Sequence, residues 1–289
     1  MSNVTKYSKE IDQIKKKLPI KIVDISNNRT RGRTPSQAFS EFLTNREQGD
    51  WAEDIIKKFT SIMNGYKIVK YGKTDNVMAG DASFPTFYQQ YQDELDTIGK
   101  RPDVLIFKTK ECNEDDISGL TIKQHEKFVP KALMGWEIRS SSYLVNEYKP
   151  GKTSDRQFLS FTVKVEDIII VLKWITTYGV PHYYVQVFFD KVYIISFKKI
   201  LEIISSESNY KKIFFVEKNT KNQMKTTIHI DIGQGMKLGD ITTPPTHTSE
   251  RKKLSAGRLL HYVKFSGGKM DVDKSTLSSI FKEAESYCK

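Results

Sequence analysis

Hydrophobic residues recur at helical spacing in three parts of the chain. Positions three and four residues apart predict helices over residues 6–18, over 36–64 and over 164–179, where the last helix ends on a glycine. The middle stretch is expected to form two helices, separated near Gln48-Gly49, with Asp50 as the N-cap of the second. A short helix is also expected at the end of residues 80–96.

Other stretches predict β-strands, because apolar residues either alternate with polar ones or form short continuous runs. The last two predicted strands form a hairpin joined by Asp190-Lys191. Strands that alternate with helices indicate an α/β fold with a central mixed sheet flanked by helices. The predicted strands are residues 66–71, 101–108, 132–142, 182–189 and 192–197.

The 289 residues suffice for one large core with additions at both ends. We expect a basic N-terminal helix and arm over residues 1–36, a central core over 37–205, and a basic C-terminal region over 206–289. That last region is expected to contain lysine-rich strands, a glycine-rich connector at 233–240, a break at Pro244-Pro245 and a final helix.

Positive charge is concentrated at the two ends of the chain. Residues 1–36 carry a net charge of +6 and residues 245–289 carry +4, out of +11 for the whole chain. Basic ends on a nearly neutral centre are typical of a protein that reaches for a polyanion such as DNA. A lysine-rich composition with no such partner is the alternative. The candidate DNA-binding residues are Arg29, Arg31, Arg33, Arg251, Lys252, Lys253, Arg258 and Lys264.

Both candidate DNA-binding segments have a second interpretation. The arginines before residue 36 lie in a loop with glycine and proline and could instead belong to a disordered leader. The segment from Ser249 to Lys269 interleaves basic and aromatic residues, which suits nucleic-acid recognition, but it could also be the surface of a helix.

Several classes of protein and site have no support in the sequence. Cys112 and Cys288 have no neighbouring cysteine or histidine with zinc-binding spacing, and the five histidines show no metal-binding pairing. No apolar stretch approaches the roughly 20 residues that span a bilayer. We therefore expect a soluble, intracellular protein with two free thiols.

Two carboxylates stand out because they lie on neighbouring predicted strands. Asp103 opens one apolar strand, and Glu137 lies within the next between Trp136 and Ile138. Carboxylates that converge at one edge of a sheet provide the oxygen ligands that Mg²⁺ prefers. A magnesium ion held there can polarise a phosphodiester and activate water.

These residues resemble the motif of the PD-(D/E)XK nuclease superfamily. The motif corresponds to Pro102-Asp103 on one strand and Glu137-Ile138-Arg139 on the next, and Glu53 matches a glutamate that members often carry on the preceding helix. The resemblance covers about residues 48–200. It implies a restriction-endonuclease-like core that hydrolyses DNA with Mg²⁺, bound by Asp103 and Glu137.

A narrower resemblance links the chain to Type II restriction endonucleases of the AccI type. It is carried by the stretches from Arg33 to Asp54 and from Lys164 to Phe197. This resemblance implies a bacterial, cytoplasmic homodimer that makes double-strand cuts in DNA at a short, palindromic sequence. It also implies a cognate DNA methyltransferase that protects the host.

One residue departs from the superfamily pattern. Arg139 stands where the motif has a lysine, and an arginine keeps its charge but cannot accept a proton. Either Arg139 stabilises charge by itself, or a lysine from elsewhere takes part, with Lys164 as the first candidate and Lys152 behind it. The departure leaves two other functions open, which are a catalytically degenerate DNA-binding protein and a structure-specific DNA repair nuclease.

The catalytic interpretation of these residues has competing explanations. Glu137 and Arg139 could form an exposed ion pair on a surface strand, which would contribute little to stability. Glu53 could lie in the first turn of a helix, where acidic residues are favoured for electrostatic reasons alone.

Overall fold

The computed structural model describes residues 5–19, 31–73, 77–150, 158–219, 225–254 and 257–288. This part of the chain contains seven α-helices: α1 (Lys6–Lys15), α2 (Ser40–Lys57), α3 (Phe84–Ile98), α4 (Ile122–Phe128), α5 (Val165–Tyr178), α6 (Phe197–Ile204) and α7 (Lys274–Glu285). It also contains twelve β-strands: β1 (Tyr66–Lys70), β2 (Val104–Lys108), β3 (Met134–Ser140), β4 (Ser160–Lys164), β5 (His182–Val187), β6 (Lys191–Ser196), β7 (Phe214–Asn219), β8 (Lys225–Asp231), β9 (Met236–Thr243), β10 (Thr246–Lys253), β11 (Leu259–Ser266) and β12 (Lys269–Val272).

The largest sheet has seven strands in the order β1-β2-β3-β5-β6-β9-β12. Its neighbours are antiparallel except for β3 and β5, which are parallel, with Glu137 opposite Tyr184 and Arg139 opposite Gln186. A parallel pair needs a long connection, and the chain makes it through β4 and α5. This connection brings the N-terminus of α5 to the sheet.

Helices cover both faces of this sheet. On one face α1, α5 and α6 bury large side chains such as Tyr7, Trp174 and Phe197. On the other face α2 and α7 bury Trp51 and Phe281 against β2, β3 and β5. Alternate residues of β2 enter the two cores, as the period of a strand requires. The predicted α/β class with a central mixed sheet is therefore confirmed, while the assignment to a PD-(D/E)XK core remains a prediction.

The expected break near Gln48-Gly49 is wrong, because α2 runs continuously from Ser40 to Lys57. Asp50 is accordingly inside the helix and does not cap it. Leu43, Trp51 and Ile55 are buried on one side of this helix. Burial of each large apolar side chain contributes about 1.5–3 kcal/mol, which outweighs the roughly 1 kcal/mol cost of one glycine.

Replacing Gly49 with alanine will stabilise the protein by about 0.5–1 kcal/mol, because glycine in a helix loses more backbone entropy on folding than alanine does. A Cβ atom at this position meets no other atom within 4 Å, so no steric cost opposes the gain. Urea unfolding followed by circular dichroism measures the difference. A destabilised variant would contradict a continuous helix through residue 49.

Two further elements begin or end at residues other than those predicted from the sequence. The helix expected to be short is α3, which has 15 residues and begins with a proline in its first turn. In the hairpin of β5 and β6, the N–H of Phe188 donates to the carbonyl of Lys191 at 2.8 Å. The two connecting residues are thus Phe189 and Asp190, one position earlier than predicted.

The C-terminal region contributes to the main sheet. The segment expected to be a glycine-rich connector is mostly strand β9, which lies between β6 and β12. Glycine is needed there because a Cβ atom at Gly239 would collide with the backbone carbonyl of Asp271. The division into regions 1–36, 37–205 and 206–289 stays a prediction. Among the described residues, no helix combines the length and the apolar character needed to cross a membrane.

Candidate active site

Strand pairing brings Asp103 and Glu137 together. Asp103 immediately precedes β2, which is antiparallel to β3, and its Oδ2 accepts a hydrogen bond of 2.6 Å from the backbone N–H of Ile138. Ile138 directly follows Glu137 on β3. On the other side, the N–H of Gly72 donates to the carbonyl of Asp103 at 2.8 Å. The two carboxylates therefore lie side by side at one end of β2 and within β3, as expected from the sequence.

Glu137 is buried and its two oxygens have different surroundings. Oε1 accepts a hydrogen bond of 2.6 Å from Lys100 Nζ and lies 2.9 Å from a terminal nitrogen of Arg139. Oε2 is buried and has no hydrogen-bond partner among the described residues. A buried carboxylate oxygen without a partner is costly, unless a ligand or ion that binds there supplies the missing interaction.

Asp167 completes a cluster of two anions and two cations. It lies in the first turn of α5, and its Oδ2 is 3.1 Å from Lys100 Nζ and 3.0 Å from Arg139. Arg139 and Lys100 each bridge Glu137 and Asp167. The interpretation of Glu137 and Arg139 as an exposed surface pair is wrong, since Glu137 is only 2% exposed.

Sequence reasoning did not identify Lys100 and Asp167 as site residues. Lys100 precedes Pro102-Asp103 by two residues, whereas the superfamily motif directs attention to the strand of Glu137. Asp167 looks like an ordinary acidic residue in the first turn of a helix. The available signal was the position of Lys100, because a cation just before the strand that carries Asp103 must end near the same edge of the sheet.

Electrostatic interactions within the cluster explain the ionisation of its members. Burial disfavours the charged form of Glu137, but Lys100 and Arg139 outweigh this effect and lower its pKa. The same two cations lower the pKa of Asp167 against the effect of burial. Burial and Arg139 disfavour charge on Lys100, yet Asp167 and Glu137 raise its pKa above the ordinary value. All of these groups are charged at neutral pH.

The pKa of Asp103 is shifted in the opposite direction from that of Glu137. Burial raises the pKa of Asp103 well above its usual value, and the negative charges of Glu137 and Glu53 raise it further. Lys100 and the hydrogen bond from Ile138 oppose this shift but do not cancel it. Asp103 therefore lies at a place where negative charge is in excess and where a bound cation would relieve the repulsion.

Glu53 lies on α2 and faces the same region. Its side chain is 18% exposed and pairs with Lys57 at 3.6 Å, while burial raises its pKa. The alternative that Glu53 is acidic only because it lies in the first turn of a helix is wrong, because Glu53 is in the fourth turn of α2. Glu53, Lys100 and Asp103 line a cavity of about 190 Å³.

Glu94 also lines this cavity but is already engaged. Its Oε2 accepts a hydrogen bond of 2.6 Å from Arg101, and both side chains are buried. The Arg101–Glu94 pair joins α3 to the chain just before β2 and so supports the segment that carries Lys100 and Asp103.

The other cations suggested by the sequence have varied positions. Arg139 is in the cluster, whereas Lys164 is the exposed last residue of β4, close enough to Asp167 to contribute to its low pKa. Lys152 and Arg29 lie outside the described residues.

The described arginines of the N-terminal arm lie at the surface. Arg31 pairs with Asp93 at 2.8 Å and with Asp96 at 2.6 Å, which attaches the arm to α3. Arg33 is exposed.

The basic C-terminal segment forms a β-hairpin and not a helix. Strand β10 carries Arg251, Lys252 and Lys253, strand β11 carries Lys264, and Arg258 lies in the connection between them. All of these side chains are exposed except that of Lys252, which is half-buried. An extended conformation is favoured because alternate residues of β11, such as Leu260 and Tyr262, pack against Leu43 of α2.

The helix α2 connects this hairpin to the carboxylates. Thr44 Oγ1 accepts a hydrogen bond of 3.1 Å from the N–H of Val263 on β11. Gln48 lies one turn later on α2. In the amide orientation that satisfies both its oxygen and its nitrogen, its side-chain oxygen accepts hydrogen bonds of 3.1 Å each from the N–H groups of Ser141 and Ser142, just after β3. Glu53 follows on the same helix. The hairpin and the cavity are therefore fixed to one rigid element.

The donor set suits a hard divalent cation that keeps part of its water shell. Among the described residues, no group of three or more histidine, cysteine or acidic side chains could hold a metal ion by themselves. Two carboxylates with one unpartnered oxygen, beside a cavity that Glu53 also lines, still fit Mg²⁺, since this ion usually binds one or two carboxylates together with water and phosphate oxygens.

Comparison with known proteins identifies the family of this chain. The chain matches the family described as AccI restriction endonuclease over residues 4–153 and 151–287, which together cover nearly all of it. No curated protein and no solved structure matches the chain. The predicted Type II restriction enzyme of the AccI type is thereby confirmed, and such an enzyme acts on double-stranded DNA. The chain belongs to the AccI restriction endonuclease family and is a Type II site-specific deoxyribonuclease.

Proposed function

We propose that this deoxyribonuclease makes Mg²⁺-dependent double-strand cuts at a short palindromic sequence, with Asp103 and Glu137 as its metal ligands on a PD-(D/E)XK core. The observation that carries the proposal is the buried, unpartnered Oε2 of Glu137 beside Asp103, whose pKa is raised by burial and by neighbouring negative charge. Mg²⁺ bound there supplies positive charge to the scissile phosphate and lowers the pKa of its bound water.

The residues of the chain have separate tasks in this reaction. Asp103 is held by the N–H of Ile138 through one oxygen, so its other oxygen stays available for the ion. Arg139 neutralises Glu137 and Asp167 and keeps the buried carboxylate ionised. Glu53 adds a further acidic group to the lining of the cavity and could hold a water of the ion. Lys164 adds positive charge at the exposed end of β4.

We propose further that the hairpin of β10 and β11 reads the DNA sequence. The major groove of DNA accepts a two-stranded β-ribbon, and arginine can bind a guanine edge through two hydrogen bonds. Thr44, which anchors the hairpin, and Glu53, at the cavity, are nine residues apart on α2, or about 13 Å along the axis. The arm with Arg29, Arg31 and Arg33 adds contacts to phosphates.

Two variants of the hairpin will have different effects on DNA binding. Replacing Arg251 with alanine is expected to weaken binding to the cognate site about 10- to 100-fold, with little loss on other DNA, as expected for a base contact. Replacing Lys264 with alanine is expected to weaken binding to all sequences and to lower the slope of log affinity against log salt by about 1. Fluorescence anisotropy at several salt concentrations measures both effects.

The control for these variants is Lys15, an exposed residue of α1 on the other face of the sheet. Its replacement by alanine should leave binding and its salt dependence unchanged. An equal loss of affinity for cognate and random DNA in the Arg251 variant would contradict sequence reading by the hairpin.

A palindromic target requires one active site for each strand, so we propose a homodimer with two-fold symmetry. Sedimentation analysis of the protein with and without DNA tests this stoichiometry. A cognate DNA methyltransferase is the expected functional partner in a bacterial cytoplasm, because the enzyme would otherwise cut the DNA of its own host.

The decisive experiment is digestion of plasmid and phage DNA by the purified protein with Mg²⁺. Discrete fragments, absent with EDTA, support the proposed function. Random degradation or cuts at branched structures would favour a repair nuclease. A gel shift without cleavage under any divalent metal would show a DNA-binding protein that has lost catalysis.

A further inference from the structure

The position of the motif lysine is occupied by Arg139, yet a lysine in the segment between α3 and β2 reaches the same carboxylate. Lys100 Nζ lies 2.6 Å from Glu137 Oε1, while its backbone lies three residues before Asp103. Lys100 also lines the cavity that Asp103 and Glu53 share. It thus places an ammonium group between a proposed metal ligand and the space that a phosphate would enter.

We propose that Lys100 is the catalytic lysine of this enzyme, which stabilises the attacking water and the negative charge that develops on the scissile phosphate, and that Asp167 is its positioning residue. The proposal rests on the proposed metal-dependent cleavage at Asp103 and Glu137. It assigns to a residue outside the motif the task that the motif gives to the position of Arg139.

The hydrogen-bonding capacity of Lys100 supports this role. An ammonium group has three N–H donors, and Glu137 and Asp167 accept two of them at 2.6 and 3.1 Å. One donor is left for a water or phosphate oxygen in the cavity. Such a donor, held in place before the reaction, stabilises developing negative charge without further reorganisation.

The backbone fixes the origin of the Lys100 side chain. The N–H of Lys100 donates to the carbonyl of Ile170 at 2.9 Å, and Ile170 is on α5, less than one turn after Asp167. Gly99, just before Lys100, packs directly against the backbone of α5. Lys100 and Asp167 are therefore held by the same turn of one helix, which favours a defined position of the ammonium group.

Arg139 is less suited to this task. The same terminal nitrogen of its guanidinium contacts both Glu137 and Asp167, and its Nε is buried without a partner among the described residues. The two N–H groups of that terminal nitrogen are already engaged with the two carboxylates and do not serve a phosphate oxygen. Its contacts instead balance the charge of two buried carboxylates.

Replacing Lys100 with methionine tests the proposal in the full-length protein. K100M keeps the aliphatic stem and removes the donors. We expect single-turnover cleavage of cognate DNA with Mg²⁺ to fall about 100-fold or more, the usual effect of losing one pre-oriented donor. DNA binding measured with Ca²⁺ and the circular dichroism spectrum should remain near those of the native enzyme.

Replacing Lys100 with arginine separates catalysis from charge balance. K100R keeps a cation beside Glu137 and Asp167 but exchanges the compact ammonium for a planar guanidinium. We expect a folded, DNA-binding protein that still cleaves at least about 10-fold more slowly. If K100M does not fold, the cleavage rate of K100R alone tests the catalytic role of Lys100. Cleavage within threefold of the native rate by either folded variant would overturn the role of Lys100.

Asp167 is tested by D167N and by the conservative D167E. We expect D167N to lower kcat about 10-fold with little change in KM for DNA, and D167E to restore part of the loss. An unchanged kcat in D167N would show that Asp167 does not position Lys100.

Failure of this proposal can be distinguished from failure of the proposed function. A native enzyme that cleaves no DNA with any divalent metal would refute the proposed function. A native enzyme that cleaves DNA, together with an active K100M variant, would refute only the catalytic role of Lys100.

Discussion

Replacing Asp103 with asparagine, or Glu137 with glutamine, will reduce cleavage of cognate DNA by at least about 1,000-fold. Loss of a metal ligand removes several kcal/mol of charge stabilisation in the transition state, and each 1.36 kcal/mol corresponds to a factor of ten in rate. Single-turnover cleavage with excess enzyme and saturating Mg²⁺ measures the chemical step without the influence of product release.

The asparagine variant should keep its fold, because its side-chain oxygen can still accept the hydrogen bond that Asp103 receives from Ile138. The substitution also adds no negative charge that would repel the phosphates of DNA. DNA binding without metal should therefore be as strong as in the native enzyme. This separation of binding from cleavage distinguishes a catalytic residue from one that supports the fold.

Asp115 provides a matched control for Asp103. It is 91% exposed on a surface loop and pairs with Lys67 at 2.9 Å, away from the carboxylate cluster. Its replacement by asparagine should leave cleavage within about twofold of the native rate, as is usual for an exposed ion pair. Full activity of D103N would show that the metal site lies elsewhere.

Replacing Gly99 with alanine will destabilise the protein by about 3 kcal/mol or more. Gly99 ends α3 with φ 84° and ψ −167°, a conformation that residues with a side chain rarely adopt. A Cβ atom there would also collide with the backbone carbonyl of Ile170 and approach the backbone nitrogen of Trp174. Backbone atoms within a packed helix cannot move aside cheaply, so strain and steric overlap add to each other.

Gly99 has functional importance because Lys100 follows it directly. Any shift that relieves the overlap with α5 must also move Lys100 relative to Asp167. Urea unfolding measures the loss of stability, and cleavage at a temperature where the variant is folded measures the effect on the site. Gly119 is the control, since a Cβ atom there meets nothing within 4 Å. Stability of G99A within 1 kcal/mol of the native value would contradict the tight contact with α5.

The sequence predicted an element correctly where its local hydrophobic pattern favours the same conformation as its packing in the folded protein. The apolar run of α5 and its terminal glycine predicted that helix, and the apolar strands β2, β3 and β5 were recognised because buried strands need continuous hydrophobic residues. The pairing of β2 with β3 then brings Asp103 to Glu137, so a short motif was sufficient to place both carboxylates in one site.

Prediction failed where tertiary contacts overcame a local preference. Gly49 suggested a break in α2, but the buried side of that helix extends past it on both sides. The glycines of residues 233–240 suggested a connector, whereas Gly239 allows β9 and β12 to approach closely. The basic segment after Pro245 was recognised as a candidate for DNA binding, but its hairpin conformation depends on packing against α2.

Periodicity by itself determined the α/β class, one motif pointed to the two central carboxylates, and the resemblance to a known family gave the enzyme family. Each of these depends on residues near in sequence or on the pairing of adjacent strands. The cationic partner of Glu137 could be decided only by the tertiary structure. Lys100 and Asp167 are 67 positions apart and meet because α5 crosses back to the sheet, where its carbonyl at Ile170 holds the backbone of Lys100. A contact that depends on a crossover helix has no local signature.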